Sequence, residues 1–363
     1  MVKQNLHILI TASIEKKFSK ELINWYLKNK RELPWRETED PYPIWLSEII
    51  LQQTRVQQGL PYYFSFLKHF PTINDLANAT EKEVLSLWQG LGYYSRARNL
   101  HKTAQLIVAD YAGSFPNNYA GLLHLKGVGP YTAAAIASFA FKEKVAVVDG
   151  NVYRVLTRIY GIYDDINLNT TKKLIAELAQ KLISKMSPNI YNQAIMEFGA
   201  MQCTPSDPKC EICPFAQICI AKIAGDQKIL PVKSKAKAKQ ERFFSYFMVR
   251  YGDTVLMKER GGNDIWQGLF EFLLIETKKI ASFTEVLKLV PLIPESNIQF
   301  EYGPCKHILS HQILHATFYT VIANKKKFDA IKKEYALEEI NIREITATPK
   351  PVLITKYLKA HKF

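Results

Sequence analysis

Residues 203–219 read CTPSDPKCEICPFAQIC, which places four of the chain's five cysteines on one short segment. The spacing is Cys203-x6-Cys210-x2-Cys213-x5-Cys219, with Pro205, Pro208 and Pro214 in between. Four thiolates on such a loop can wrap one metal centre. Zinc is more often gripped by two separated Cys-x-x-Cys or Cys-x-x-His knuckles. One central pair flanked by longer arms fits the corners of a 4Fe–4S cube better, with zinc as the alternative. In a chain of 363 residues this is not a disulfide framework. It points to a reducing compartment, the cytosol.

Upstream, the chain reads as helical. Apolar residues recur at three- and four-residue spacing over 18–29, 43–54, 56–69, 81–90, 95–111 and 132–141. Pro71, Pro116 and Gly150 punctuate them. The one strand-like run here is 145–148, leading into a helix predicted near Asn151. Downstream, residues 231–242 (PVKSKAKAKQER) are rich in Lys and poor in apolar side chains. They read as an exposed linker able to follow phosphates. Beyond it the period changes. Strands are predicted at 243–250, 254–258, 270–276 and 315–323, and helices at 283–290, 328–335 and 352–359. The fold class is therefore multidomain, an all-α core carrying the cysteine loop followed by a separate α+β domain.

Apolar residues at 47% and charged residues at 23% exclude a largely disordered or collagen-like chain. Lys and Arg number 48 against 34 Asp and Glu, for a net charge of +14. From Pro231 onward there are 22 basic and 14 acidic residues, and before it 26 and 20. Both parts are basic, as a polyanion partner requires. The charge-free run 127–141 is shorter than the roughly 18–20 residues of a membrane-spanning helix, so no membrane partner is expected. The N-terminus makes no convincing signal peptide.

Three further features carry chemistry. Leu125-Lys126-Gly127-Val128-Gly129-Pro130-Tyr131-Thr132 has two glycines, Gly127 and Gly129, in a tight turn before a helix N-terminus. Such a turn presents amides to a phosphate oxygen without reading a base, or it is a plain helix–helix connection. Glu48 is the lone acid of Ile44-Trp45-Leu46-Ser47-Glu48-Ile49-Ile50. It is either the wet side of an amphipathic helix or an acid whose pKa burial raises. Asp149 suits the N-cap of the next helix, a role that leaves catalysis open.

In order along the chain come Leu33-Pro34-Trp35-Arg36, Trp45-Leu46-Ser47-Glu48-x3-Gln52-Gln53-Thr54, Gly90-Leu91-Gly92-Tyr93-Tyr94-Ser95-Arg96-Ala97, the 127–132 hairpin, Val148 to Val152 and the four cysteines. Together they resemble the endonuclease III-like superfamily of helix–hairpin–helix DNA glycosylases, and within it the adenine DNA glycosylases of the MutY type. The likeness is dense over 31–219 and weaker beyond.

The resemblance implies a cluster-bearing lobe from 1–35 and 146–225, a six-helix lobe from 36–145, a linker over 226–242 and a Nudix-like domain over 243–363. It implies a 4Fe–4S cofactor on Cys203, Cys210, Cys213 and Cys219. The implied reaction is hydrolysis of adenine from duplex DNA where it mispairs with 8-oxoguanine or guanine, in base excision repair, by a monomer in the bacterial cytosol. Glu48 matches the general acid, Asp149 the carboxylate that stabilises an oxocarbenium-like sugar, and Tyr131 and Asn151 residues that assist them. Arg36 and Gln193 match positions near the flipped base, and Gln53 and Tyr93 match wedges beside the mispair. Strand-cutting relatives carry a Lys where this chain has Tyr131, so Schiff-base chemistry is not expected. Tyr153 stands where some members carry a Lys that traps the product.

In the C-terminal domain, Asp264-Ile265-Trp266-Gln267-Gly268-Leu269-Phe270 fits the early Nudix-like signature, and no Nudix box follows. The family's Phe-Ser-His loop aligns with Leu309, Ser310 and His311, with Leu in the aromatic place. Two alternatives stand beside this reading: a related glycosylase of other base preference, and a non-catalytic DNA-binding protein stabilised by zinc.

Overall fold

The computed structural model describes residues 12–183, 187–234, 238–262 and 264–361. The helices are α1 (Ala12–Asn29), α2 (Pro41–Ile50), α3 (Val56–His69), α4 (Ile73–Asn78), α5 (Glu81–Leu87), α6 (Ser95–Tyr111), α7 (Tyr119–Leu123) and α8 (Pro130–Phe139). They continue with α9 (Gly150–Tyr160), α10 (Asn169–Leu182), α11 (Pro188–Met201) and α12 (Ile220–Ala224). Then follow β1 (Gln240–Tyr251), β2 (Thr254–Glu259), β3 (Phe270–Glu271), β4 (Leu273–Thr277), α13 (Phe283–Lys288), β5 (Ile298–Ile308), β6 (Gln312–Ile322), α14 (Lys325–Glu334), β7 (Glu338–Asn341) and α15 (Val352–Ala360).

The chain divides into two compact units. One comprises Met1–Gln57, Leu67–Ala77 and Lys102–Lys235, the other Gln58–Phe66, Asn78–His101 and Ala236–Phe363. The first is helical. Phe18, Leu22 and Tyr26 recur every fourth residue along α1, so they share one face. That face is buried with Val152, Val155, Leu156 and Ile159 of α9 and with Ala194, Ile195 and Phe198 of α11. Phe18 stacks on Phe215 from the cysteine loop at 4.7 Å between ring centroids. Each such side chain contributes roughly 1.5–3 kcal/mol on full burial. α9 and α11 meet closely because position 199 is glycine. A Cβ there would stand 2.6 Å from Asn151 Cβ and 3.0 Å from the Asn151 carbonyl oxygen.

In this unit the strand predicted at 145–148 does not form. Its backbone is extended, but side-chain amides take the place of a neighbouring strand. Ala146 N–H donates to Gln180 Oε1, Val147 N–H donates to Asn192 Oδ1, and Asn192 Nδ2 donates back to the Val145 carbonyl. The helix predicted over 43–54 ends at Ile50, leaving Gln53 in a turn.

The second unit is built on a mixed sheet in the order β3-β2-β1-β6-β5, with β4 also on β1 and β7 on β2. β1 and β6 run parallel, from Gln240↔Gln312 to Arg250↔Ile322. Alternation puts Phe244, Tyr246, Met248 and Phe318 on one face with α15, and Phe247, Val249, Tyr319 and Val321 on the other with α14. The strand predicted at 270–276 breaks at Phe272, because β3 pairs with β2 and β4 pairs with β1. Residues 78–101, read from sequence as part of the six-helix lobe, fall in this unit. Ser86 Oγ donates to the Ala347 carbonyl, Gln89 Nε2 to Thr355 Oγ1 and Arg98 Nη1 to the Gln267 carbonyl.

Candidate active site and cluster loop

α2 begins at Asp40, whose side chain accepts the Tyr42 N–H, with Pro41 setting the first turn. Most of the helix is buried, and Glu48 is only 8% exposed. Its Oε2 accepts the Tyr131 hydroxyl at 2.6 Å, and Tyr131 comes from the first turn of α8. Burial pushes the Glu48 carboxyl up to about 7. The Tyr131 hydrogen bond and Arg36 pull it down, and nearby Asp149 pushes it up. The Tyr131 phenol is itself held well above its ordinary value by burial and by Glu48, so it stays a donor. Glu48 Oε1 is then the oxygen that can carry a transferable proton. Glu48 lines a cavity with Trp35, Arg36, Ile44, Ser47, Phe139, Gln193 and Met196. Flat and apolar side chains with a few polar tips suit a heteroaromatic ring.

Asp149 caps α9. Its Oδ1 accepts the Asn151 and Val152 N–H groups at 2.9 and 2.8 Å, and its Oδ2 accepts Asn151 Nδ2 at 2.7 Å. Burial raises the Asp149 carboxyl, while these three donors and Arg154 pull it back toward the anion. Arg154 extends the chain of contacts. Its Nη2 donates to Asn151 Oδ1 and to the Gly199 carbonyl, and its Nε donates to the Cys203 carbonyl at 2.7 Å.

The hairpin between α7 and α8 turns at Gly127, with φ 81°, where L side chains are rare. At Gly129 a Cβ would meet nothing within 4 Å, so that face is open to an approaching backbone. Gln53 and Tyr93 are both exposed, and both hold positive φ, 56° and 49°. Non-glycine residues rarely adopt that region, and when they do it is often at ligand clamps. In the second unit, Tyr93 lines one groove with Trp266, His307, Leu309, Ser310 and His311. The 309–311 turn joins β5 to β6. It is held by Leu309 N–H to the Gln312 carbonyl, by Lys239 Nζ to the Leu309 carbonyl and by Ser310 Oγ beside His311 Nδ1 at 3.0 Å.

Cys203, Cys210, Cys213 and Cys219 are free thiols that line one cavity with Arg158, Phe198, Gln202 and Gln227. Among the described residues no three His, Cys, Asp or Glu side chains converge closely enough to share a single ion. Four thiols lining one common space are the donor set that a 4Fe–4S cluster takes. Fully buried Arg158 orients the loop, donating to Cys203 Sγ at 3.4 Å and to the Thr204 and Pro205 carbonyls.

Residues 46–185 match the HhH-GPD superfamily of base excision DNA repair proteins, 203–219 the iron–sulfur binding domain of endonuclease III, and 245–360 the NUDIX domain. The adenine DNA glycosylase of Buchnera aphidicola subsp. Baizongia pistaciae is 35% identical over 353 residues, covering 94% of this chain and 97% of the relative. The chain belongs to the adenine DNA glycosylase family. It is thus an N-glycosyl hydrolase of base excision repair, with a 4Fe–4S cluster as its cofactor. A thermostable thymine-DNA glycosylase shares the fold of part of it, with a TM-score of 0.53, 32% identity, 58% of this chain and 97% of that one covered. Endonuclease III in a non-covalent DNA complex does so at a TM-score of 0.51 and 23% identity, over 60% of this chain and 99% of that one. Among the described residues no helix is long and apolar enough to cross a membrane.

For this adenine DNA glycosylase family member the four cysteines are the residues that would hold the cluster, which when bound clamps the loop. Protein purified without oxygen is expected to contain about four irons per chain with matching sulfide. Stoichiometric zinc without sulfide contradicts it. Three residues of the site escaped the sequence reading. Tyr26 donates its hydroxyl to Gln193 Oε1 at 2.7 Å, Glu197 pairs with Arg31 and Arg36, and Arg154 ties Asn151 to the cysteine loop. Only Glu197, an acid on an otherwise apolar helix turn just before Cys203, left a trace in the sequence.

Proposed function

We propose that this glycosylase hydrolyses adenine paired with 8-oxoguanine or guanine and leaves the strand intact. The observation that carries the reading is a buried Glu48, held near neutrality beside a tyrosine where a strand-cutting enzyme needs an amine. The target base must leave the duplex stack to reach such a cavity. Glu48 gives its proton to N7 of adenine. The N-glycosidic bond breaks with its electron pair leaving on the base, and Asp149 stabilises the cationic sugar. Water then adds to the sugar carbon, and its proton returns to Glu48. The lysines nearest Tyr131 in sequence supply no nucleophile in this reading: Lys142 is ion-paired with Glu39, and Lys126 precedes the hairpin. Ser310 supplies a directional contact to the opposing base, with Leu309 a weaker wedge than an aromatic ring.

The test is single-turnover excision from duplexes with adenine opposite 8-oxoguanine, guanine, cytosine or thymine. Strands are expected to break only after alkali, and borohydride is expected to trap little covalent complex. Replacing Ser310 and His311 by Ala together should lower the preference for 8-oxoguanine over guanine, since one good base contact gives roughly 1–3 kcal/mol of discrimination. Efficient trapping on a lysine refutes the monofunctional reading, and an unchanged preference ratio refutes the assigned loop.

A further inference from the structure

Glu197, on α11, is 1% exposed, yet the chemistry above gives it no task. It accepts the Arg31 backbone N–H at 2.9 Å, Arg31 Nε at 2.8 Å, Arg31 Nη2 at 2.6 Å and Arg36 Nη2 at 2.8 Å. Burial pushes its carboxyl up, but the two arginines outweigh burial and hold it at about 2. The Arg36 guanidinium is also fixed by its bond to the Arg31 carbonyl and by the Tyr26 ring, 5.6 Å away. Arg36 lines the same cavity as Glu48 and Gln193. Buried ion pairs are poor sources of stability, because desolvation consumes most of the attraction. A buried carboxylate that holds two arginines beside a reaction cavity therefore calls for a reason other than stability.

We propose that Glu197 is a positioning residue of the glycosylase reaction, fixing the Arg36 guanidinium at the base cavity and offsetting part of its charge there so that Glu48 keeps its proton. The proposal rests on Glu48 being the acid. The titratable and charged groups that face Glu48 are Tyr131 from α8, Asp149 ahead of α9 and Arg36 from the 3-10 turn Pro34–Arg36. Tyr131 stays neutral and Asp149 favours the protonated acid, so among these Arg36 is the cation that favours ionisation. With Glu197 in place Arg36 shares that carboxylate with Arg31, and part of its charge is offset. Without Glu197, a bare cation beside Glu48 stabilises the carboxylate, and the acid is lost at a lower pH.

The experiment is the pH profile of single-turnover adenine excision by the full chain, at saturating enzyme, with Glu48→Gln as the control. In Glu197→Gln the alkaline limb, near 7 in the parent, should move at least about half a pH unit lower. Glu197→Asp, which keeps the charge, should restore most of the shift. Arg36→Met in the Glu197→Gln background should return the limb to the parent position or above. A folded Glu197→Gln protein, with unchanged melting and cluster absorbance, whose limb stays in place overturns the proposal, even if its rate falls. If Glu197→Gln does not fold, Arg36→Met alone decides. Its limb must rise, and a fixed or lowered limb overturns the proposal. Excision by Glu48→Gln at more than about a tenth of the parent rate removes the acid assignment and the proposal with it. That result is distinct from an inactive Glu48→Gln beside an unmoved Glu197→Gln limb, which removes the proposal alone.

Discussion

Replacing Glu48 by Gln slows adenine release by roughly 10²–10⁴-fold, the usual worth of general acid–base help, while binding to the mispaired duplex is largely kept. The amide has nearly the shape of the acid, and its oxygen can still accept the Tyr131 hydroxyl that now bonds Oε2. What it lacks is a proton to give. The parent enzyme should also lose activity as pH rises through about 7, because the folded acid is protonated below that value and ionised above it. In Glu48→Gln that alkaline limb should vanish with the chemistry. Rapid-quench excision across pH 5–9 reads both effects. Retention of more than about a tenth of the parent rate rules Glu48 out as the acid.

Asp149→Asn should cost about as much in rate, roughly 10²–10³-fold, for a different reason. The substitution removes the negative charge proposed to stabilise the sugar cation but not the helix cap, since Asn is as good an N-cap as Asp. Its Oδ1 can keep the Asn151 and Val152 N–H groups. Its new amide opposes Asn151 Nδ2, which at present donates to Oδ2, so Asn151 must turn. Melting should therefore change by no more than about 1 kcal/mol. A folded Asp149→Asn protein with full activity refutes the electrostatic role, and a large loss of stability shows that the carboxylate's charge and its Asn151 contact also hold the fold.

The helical half was legible where one face of a helix settles the matter. α6 runs over the residues its periodicity predicts, and so does α3. Asp149 could be read as a cap from its place before Gly150 and an apolar run. Extended segments were harder, because a strand needs a neighbour that local sequence does not name. Residues 145–148 look like a strand, and their hydrogen bonds go to Gln180 and Asn192 instead. The opposite error hid β5. Its run is interrupted by Gly303 and Pro304, and the structure accommodates them at the sheet edge through a register shift between Tyr302 and Cys305. β7 is short and charged, with Ile340 its buried side chain. At the site, residue types with chemistry of their own could be picked out. The frame that holds them could not: Tyr26 meets Gln193 across 167 positions and Arg31 meets Glu197 across 166, and neither pairing has a local signature.

The close approach at Gly199 makes one position of the chain intolerant to the smallest possible change. A single methyl there has 2.6 Å to the Asn151 side chain, closer than real Cβ atoms come, and 3.0 Å to its carbonyl. The helix crossing must open to admit it, and the contact lies at the first turn of α9, which carries the cap formed by Asp149. The Gly199 carbonyl is also an acceptor for Arg154, so the same displacement pulls on the guanidinium that reaches the Cys203 carbonyl. A glycine-to-alanine exchange, trivial on a surface helix, is here expected to act as an inactivating lesion in the repair enzyme that leaves both carboxylates and all four cluster thiols in the sequence.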